Sequence, residues 1–137
     1  MTAGIYLAFD FGTQRIGVAV GDAVTRSARA LCTVTEDWLQ IERLIKEWGP
    51  VACVVGLPLD REGLDQAITR KARDFASELN KRTQRPVHLC DERYSSRSAQ
   101  DDLREARSSG AMTRRVKLGD KDSAAARLIL QQWLTEN

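Results

Sequence analysis

The sequence contains few of the residues that build disulfide frameworks and zinc sites. It has three cysteines, at positions 32, 53 and 90, and a single histidine, His88. The cysteines are odd in number and each lies in an apolar segment, which is typical of small buried side chains in a reducing compartment. There is no C-x-x-C pair, so we do not expect a zinc site. His88 lies in a strand-like segment and is interpreted as a core or edge residue.

Long apolar runs and a strong charge of one sign are also missing. No apolar stretch reaches the length of about 18 residues that could cross a membrane, and the N-terminus does not resemble a signal peptide. We therefore expect a cytoplasmic protein that has no membrane partner. The formal net charge is +2, which is too small to indicate nucleic-acid binding by itself. A length of 137 residues suits one hydrophobic core, and we expect a single domain over residues 1–137.

The charge is distributed unevenly along the chain. Residues 104–121 contain six basic side chains and two acidic ones. A local basic segment in a nearly neutral protein is typical of a surface that binds phosphates. A solvated loop kept soluble by its charge explains the same run equally well when the run is considered alone.

Apolar patterns predict a mixed sheet. Strands at residues 5–11, 15–21 and 30–34 are separated by short links, which predicts an antiparallel meander. A helix that ends at Gly49 and Pro50 follows. The later elements are expected in the order strand, helix, strand, helix, helix, at residues 51–58, 65–82, 86–93, 96–107 and from 122 onward, with a loop at 108–121. This order predicts a five-stranded mixed sheet with helices on both faces, as in the ribonuclease H-like fold.

Carboxylates occur where the predicted elements begin or end. Asp10 ends the first strand, Asp91 and Glu92 end the fifth, and Asp122 opens the last helix. In an open sheet such positions can converge, and only a cation then relieves the repulsion between the carboxylates. Oxygen ligands without histidine or cysteine point to Mg²⁺ or Mn²⁺. Two such ions can activate a water and stabilise the leaving oxygen of a phosphodiester.

Each carboxylate also has an ordinary structural explanation. Asp10 could accept hydrogen bonds from the turn that follows it, and Asp122 could cap its helix. Asp91 and Glu92 could pair with Arg93 at the surface. Only the combination of these residues in this topology favours a metal site.

Polar and basic side chains near these carboxylates are candidates for contact with nucleic acid. Thr13 and Arg15 lie in the turn after Asp10, where a hydroxyl and a guanidinium can bind phosphate oxygens. Others follow the acidic pair or lie in the basic segment. The full set is Thr13, Arg15, Arg93, Ser96, Arg114, Arg115, Lys117 and Lys121.

Four segments resemble the signature sequences of the YqgF family, the bacterial Holliday-junction-resolvase-like proteins that are also described as pre-16S rRNA nucleases. They are LAFDFGTQRIGVAVGD, VVGLPLD, HLCDERYSS and KDSAAARLIL, in that order. The resemblance implies a ribonuclease H-like fold and a cytoplasmic metal-dependent nuclease that trims the 5′ end of the 16S rRNA precursor. It also implies that Asp10, Glu92 and Asp122 are the catalytic and metal-binding residues, with Asp91 as second choice for the role of Glu92. One departure is Asp60 in the loop after GLPL, where the family often has asparagine.

Other functions remain open. A resolvase that cuts four-way DNA would act as a homodimer with paired sites. A non-catalytic RNA-binding assembly factor would be indifferent to the loss of Asp10. The DFGT segment also resembles the first phosphate loop of sugar kinases and actin-like ATPases, but those proteins need two such domains and a second phosphate loop, so we reject this alternative.

Overall fold

The computed structural model describes residues 1–91 and 118–137, with the side chains of 1–91 and 122–137. The predicted helix at 96–107 and most of the predicted loop at 108–121 lie outside these residues. No helix in the described part of the chain is long and apolar enough to cross a bilayer. The described elements, in chain order, are β1 (Ile5–Asp10), β2 (Ile16–Asp22), β3 (Ser27–Val34), α1 (Trp38–Trp48), β4 (Ala52–Leu57), α2 (Ala67–Thr83), β5 (Val87–Asp91) and α3 (Leu118–Glu136).

The strands form one mixed sheet in the order β3-β2-β1-β4-β5. The pairs β1–β2 and β2–β3 are antiparallel, whereas β1–β4 and β4–β5 are parallel. The first three strands are thus the predicted meander, and the parallel strands are reached through helical crossovers. Every residue of β4 is buried, as expected for an apolar strand covered on both faces. The prediction of a mixed five-stranded sheet is confirmed.

Two helices, α1 and α2, cover one face of the sheet. The carboxylate of Asp37 caps α1 by accepting a hydrogen bond from the backbone N–H of Leu39 at 3.0 Å. The helix ends at Gly49, whose φ of 54° is left-handed. Apolar stripes of both helices pack on alternate strand residues. The main residues of this core are Leu7, Phe9, Val18, Val20, Ile41, Ile45, Cys53, Val55, Ala72, Phe75 and Leu79.

The third helix, α3, covers the opposite face. Successive strand residues point to opposite sides of a sheet. For this reason β1 contributes Leu7 and Phe9 to the first core and Tyr6 and Ala8 to the second. Helices therefore cover both faces, as predicted. The main residues of the second core are Tyr6, Ala8, Ala19, Ala52, Val54, Cys90, Ala126, Ile129, Leu130 and Leu134.

The start of α3 differs from the prediction. The helix begins at Leu118, so Asp122 lies inside it and is not its N-cap. Residues 118–121 are helical and do not belong to a loop. Residues 118–121 do not show the apolar spacing of a packed helix, so the sequence pattern does not reveal the first turn. Once the packed part of the helix from Ala126 onward has formed, adding residues at its N-terminal end is far easier than nucleating a new helix.

The three cysteines are free thiols that serve in packing. Cys53 and Cys90 are buried and Cys32 is partly buried. Burial raises the pKa of Cys53 to about 12 and also raises the pKa of Cys32. Both thiols are therefore protonated and weakly nucleophilic at neutral pH. The His88 ring stacks on Trp133 of α3 with the ring centroids 4.8 Å apart, in keeping with a core or edge role.

Candidate functional site

Asp10, at the end of the central strand β1, and the backbone of Asp122 in α3 both lie beside Gly17 of β2, and we call this place the corner. Asp10 is the last residue of β1 and lies opposite Gly17 of β2. It follows Tyr6 and Ala8 at intervals of two, so its side chain is on the face covered by α3. The backbone of Asp122 lies directly against Gly17, where an added Cβ atom would overlap the Asp122 carbonyl. Opposed Cα atoms in an antiparallel pair are about 4.5–5.5 Å apart. Asp10 and Asp122 are therefore both close neighbours of Gly17.

Gly17 is a residue whose role the sequence patterns did not reveal. On β2, the small residues Gly17, Ala19 and Gly21 alternate with Val18 and Val20 of the other core. A Cβ atom on Gly21 would press on side chains of α3, as one on Gly17 would press on its backbone. The alternation of small with large residues in RIGVAVG is the sequence signal for a helix packed closely on one face.

Arg15 and Asp122 form an ion pair. The Nε atom of Arg15 donates a hydrogen bond to Oδ2 of Asp122 at 3.1 Å. The two side chains are 42% and 30% exposed, so the pair lies at the surface of the corner. Arg15 precedes β2 in the same turn as the exposed Thr13. Contact of either residue with a phosphate stays a prediction.

Asp91 is directed away from this corner. In the register of β4 and β5 it pairs with Leu57, which belongs to the core under α1 and α2. Its neighbour Cys90 belongs to the core under α3. Because side chains alternate along a strand, Asp91 lies on the face opposite to Asp10. Glu92 lies outside the described residues, so the choice of Glu92 over Asp91 stays a prediction.

The side chains of the other residues that are predicted to bind nucleic acid or metal lie outside the described part of the chain. Lys121 belongs to the first turns of α3, but its side chain is outside the described part. The residues wholly outside it are Glu92, Arg93, Ser96, Arg114, Arg115 and Lys117.

Asp60 orders its own loop. Its Oδ1 atom accepts hydrogen bonds from the backbone N–H groups of Glu62 and Leu64, both at 2.9 Å. The amide oxygen of an asparagine could accept the same two bonds. The departure from the family pattern at this position therefore changes the charge of the loop without removing its hydrogen bonds.

The donors at the corner suit a hard divalent cation. Carboxylate oxygens are the ligands that Mg²⁺ and Mn²⁺ prefer, and Asp10 and Asp122 each carry one carboxylate. Among the described residues, no three carboxylate, imidazole or thiol groups lie close enough to form a complete site. Glu92 lies outside the described residues, and its part in such a site stays a prediction.

Sequence relatives match the chain over its whole length. The family model described as "RuvX: Holliday junction resolvase" matches residues 4–136. A Legionella pneumophila (strain Paris) protein named "Putative pre-16S rRNA nuclease" is 43% identical over 142 residues, which cover 100% of this chain and 99% of that relative. A Francisella tularensis subsp. tularensis (strain WY96-3418) protein of the same name is 38% identical over 136 residues, or 96% of each chain.

Solved structures share the fold at low sequence identity. RuvC of T. thermophilus, in complex with Holliday junction substrate, has a TM-score of 0.57 and 13% identity, covering 97% of this chain and 94% of that chain. The Fowlpox virus resolvase, in complex with Holliday junction DNA, has a TM-score of 0.60 and 12% identity, covering 96% and 97%. These likenesses confirm the ribonuclease H-like fold. Together with the relatives, the match over residues 4–136 shows that the chain belongs to the RuvX family, which is the YqgF family that its four segments resemble.

Proposed function

We propose that the chain is a metal-dependent nuclease that processes the 5′ end of the 16S rRNA precursor in the cytoplasm. The observation that supports the proposal is that Asp10 and the backbone of Asp122 are both neighbours of Gly17, at the strand ends of a ribonuclease H-like sheet. The names of the two relatives support the choice of RNA substrate. Hydrolysis of phosphodiester bonds is the reaction that fits both the carboxylates of this site and the nuclease names of these relatives.

In this proposal Asp10, Glu92 and Asp122 are the catalytic residues and hold one or two divalent cations, Mg²⁺ or Mn²⁺. When bound, the cations supply Lewis-acid stabilisation of the charge that develops on a phosphodiester during hydrolysis. The task of the chain is to hold the carboxylates in place. Asp10 is held by the pairing of β1 with β2, and Asp122 is held by the packing of α3 on β2. Sites carried by strands and helices keep their geometry better than sites on loops.

The RNA backbone contacts the polar and basic side chains around this corner. Thr13 and Arg15 lie in the turn beside Asp10, where they orient a phosphate next to the carboxylates. Such contacts position the substrate but carry no sequence information. The choice of cleavage site then depends on the shape and the unpaired bases of the precursor. The other proposed contacts are Arg93, Ser96, Arg114, Arg115, Lys117 and Lys121.

Cleavage of a precursor 16S rRNA fragment tests the proposal. We expect cleavage with Mg²⁺ or Mn²⁺ and none in chelator. Asp10→Asn removes a charged ligand, so it should lower the rate by at least about a hundredfold while the fold and RNA binding remain. Full activity of this variant would contradict the metal mechanism, and RNA binding without any cleavage would favour the assembly-factor alternative.

The adjacent acidic residues provide a matched control. Glu92→Gln and Asp91→Asn each remove one negative charge from neighbouring positions. Since Asp91 lies on the face of α1 and α2, its variant should keep activity within a few-fold, whereas Glu92→Gln should lose it as Asp10→Asn does. A larger loss in Asp91→Asn than in Glu92→Gln would reassign the third ligand.

A Holliday junction resolvase is the second candidate. The printed description of the family and the junction-bound structures of RuvC and the Fowlpox virus resolvase favour it. A homodimer would then present two corners to opposed strands. Cleavage rates on precursor rRNA and on four-way DNA, at matched salt and metal, separate the two functions, because phosphate contacts weaken steeply with salt. A dimer in sedimentation analysis together with faster cleavage of the junction would favour the resolvase.

A further inference from the structure

Arg15 and a divalent cation compete for the same carboxylate. We infer that the Arg15 guanidinium occupies Asp122 in the metal-free protein and transfers to an RNA phosphate when a divalent cation binds at the corner. The inference rests on the proposed metal site. It goes beyond that proposal because it gives Arg15 two partners in succession and links metal binding to RNA binding.

The geometry of the pair of Arg15 and Asp122 allows a cation to displace the guanidinium. Within the described residues, Arg15 donates to Asp122 through Nε alone, at 3.1 Å. By contrast, Arg73 holds Asp65 through two parallel hydrogen bonds of 2.9 and 3.0 Å, the stronger arrangement for a guanidinium and a carboxylate. Among the described residues, no carboxylate takes a hydrogen bond from the terminal nitrogens of the Arg15 guanidinium, in contrast to Arg73.

The strength of the pair also permits exchange. Both side chains are substantially exposed, and ion pairs of this kind change an equilibrium constant by a factor of only about 1.4 to 5. A doubly charged cation that also binds Asp10 has the stronger attraction for Asp122. Until it binds, the guanidinium offsets the negative charge of Asp122.

The position of Arg15 places it beside the proposed second partner, an RNA phosphate. The residue precedes β2 in the turn that follows Asp10, and its side chain is 42% exposed while it contacts Asp122. Once released, the guanidinium stays beside the place where the proposed scissile phosphate lies. Binding of cation and of RNA must then favour each other, because linkage between two ligands is reciprocal.

Manganese titration of the RNA-free protein by calorimetry tests the competition. Arg15→Gln should bind Mn²⁺ about two- to fivefold more tightly than the wild type, because no guanidinium has to leave Asp122. Arg15→Lys keeps a cation beside Asp122 and should stay near the wild-type affinity. Lys46→Gln removes the same charge from the distant end of α1 and should change nothing. Equal or weaker Mn²⁺ binding by Arg15→Gln would overturn the exchange.

RNA binding provides the second readout. In chelator, Arg15 remains on Asp122, so Arg15→Gln should bind the precursor fragment as the wild type does. With Mn²⁺, the same variant should raise KM for cleavage, and the slope of log KM against log salt should fall by about 0.7 to 0.9, the value of one phosphate contact. Equal weakening of RNA binding in chelator would mean that Arg15 contacts RNA without exchange.

The outcomes separate this inference from the proposed function. If the wild type binds no Mn²⁺, the metal site itself is wrong and the exchange falls with it. If the wild type binds Mn²⁺ and cleaves RNA while Arg15→Gln gains no affinity, only the exchange is wrong.

Discussion

Replacing Gly17 with alanine tests how α3 brings Asp122 to Asp10. The space that a Cβ atom would need is filled by the carbonyl group of Asp122 and the backbone nitrogen of Ser123. These are backbone atoms of a helix, so they cannot rotate aside as a flexible side chain can. In Gly17→Ala, α3 must therefore move away from β2.

The size of the effect follows from this packing. Over-packing a core costs about 1–3 kcal/mol, and we expect the upper end here because the obstacle is backbone. The side chains of Ile129, Leu130 and Leu134 in α3 are at most 1% exposed and lose contact when the helix shifts. At about 3–5 °C per kcal/mol for a domain of this size, the melting temperature should fall by about 10–15 °C. A shift of about 1 Å at Asp122 should also lower the cleavage rate about a hundredfold.

Thermal unfolding and RNA cleavage, the latter measured well below the melting temperature, check both parts. Gly49→Ala is the matched control, because Gly49 has a φ of 54° and, among the residues that the structure describes, nothing beyond its two chain neighbours lies within 4 Å of an added Cβ. Its left-handed backbone should cost about 1–2 kcal/mol, with cleavage unchanged. Wild-type stability and activity in Gly17→Ala would refute the close approach of α3. A destabilised variant with full activity would refute the role of Asp122.

Two further predictions concern stability. The buried hydroxyl of Thr69 donates to the Pro58 carbonyl at 2.6 Å and accepts from the Gln66 N–H at 2.9 Å. Thr69→Val removes both bonds, which leaves the Pro58 carbonyl with only the longer bond of 3.4 Å from Nε2 of Gln66. The free energy of unfolding, measured in urea, should fall by about 1–3 kcal/mol; Thr69→Ser should keep it, and an unchanged midpoint in the valine variant would contradict this. The pKa of Cys53 is raised from 9.0 to about 12 by burial, so the folded state keeps a proton that the unfolded state releases. The contribution of this thiol to the free energy of unfolding should therefore be constant below pH 9. It should fall as the pH rises from about 9 towards 12, by at most about 1.4 kcal/mol per pH unit. Cys53→Ala should flatten this slope in urea titrations at several pH values, and equal slopes would show that the thiol does not contribute.

Much of the fold can be predicted from local patterns because local interactions build it. The wholly apolar run of β4 needs a strand covered on both faces, and the structure buries all of its residues. The end of α1 at Gly49 follows from its left-handed backbone. The start of α3 could not be predicted, since its first turn is supported by packing further along the helix and has no apolar stripe of its own.

The candidate site was predictable in part. Asp10 and Asp122 are recognisable as carboxylates at element ends, although Asp122 lies within its helix and not at its start. The ion pair of Arg15 with Asp122 joins residues 107 positions apart, and no spacing rule reaches that far. The face on which Asp91 lies follows from alternation only when the register of β5 against β4 is known.

The central claim is that the carboxylates of Asp10 and Asp122 bind a common set of divalent cations. Anomalous diffraction from crystals of the wild-type protein grown with Mn²⁺ tests it most directly. We expect manganese at the corner beside Gly17, within about 2.5 Å of carboxylate oxygens of both residues, with Glu92 completing the site. Anomalous density elsewhere, or none at saturating Mn²⁺ with the two carboxylates turned apart, would contradict it.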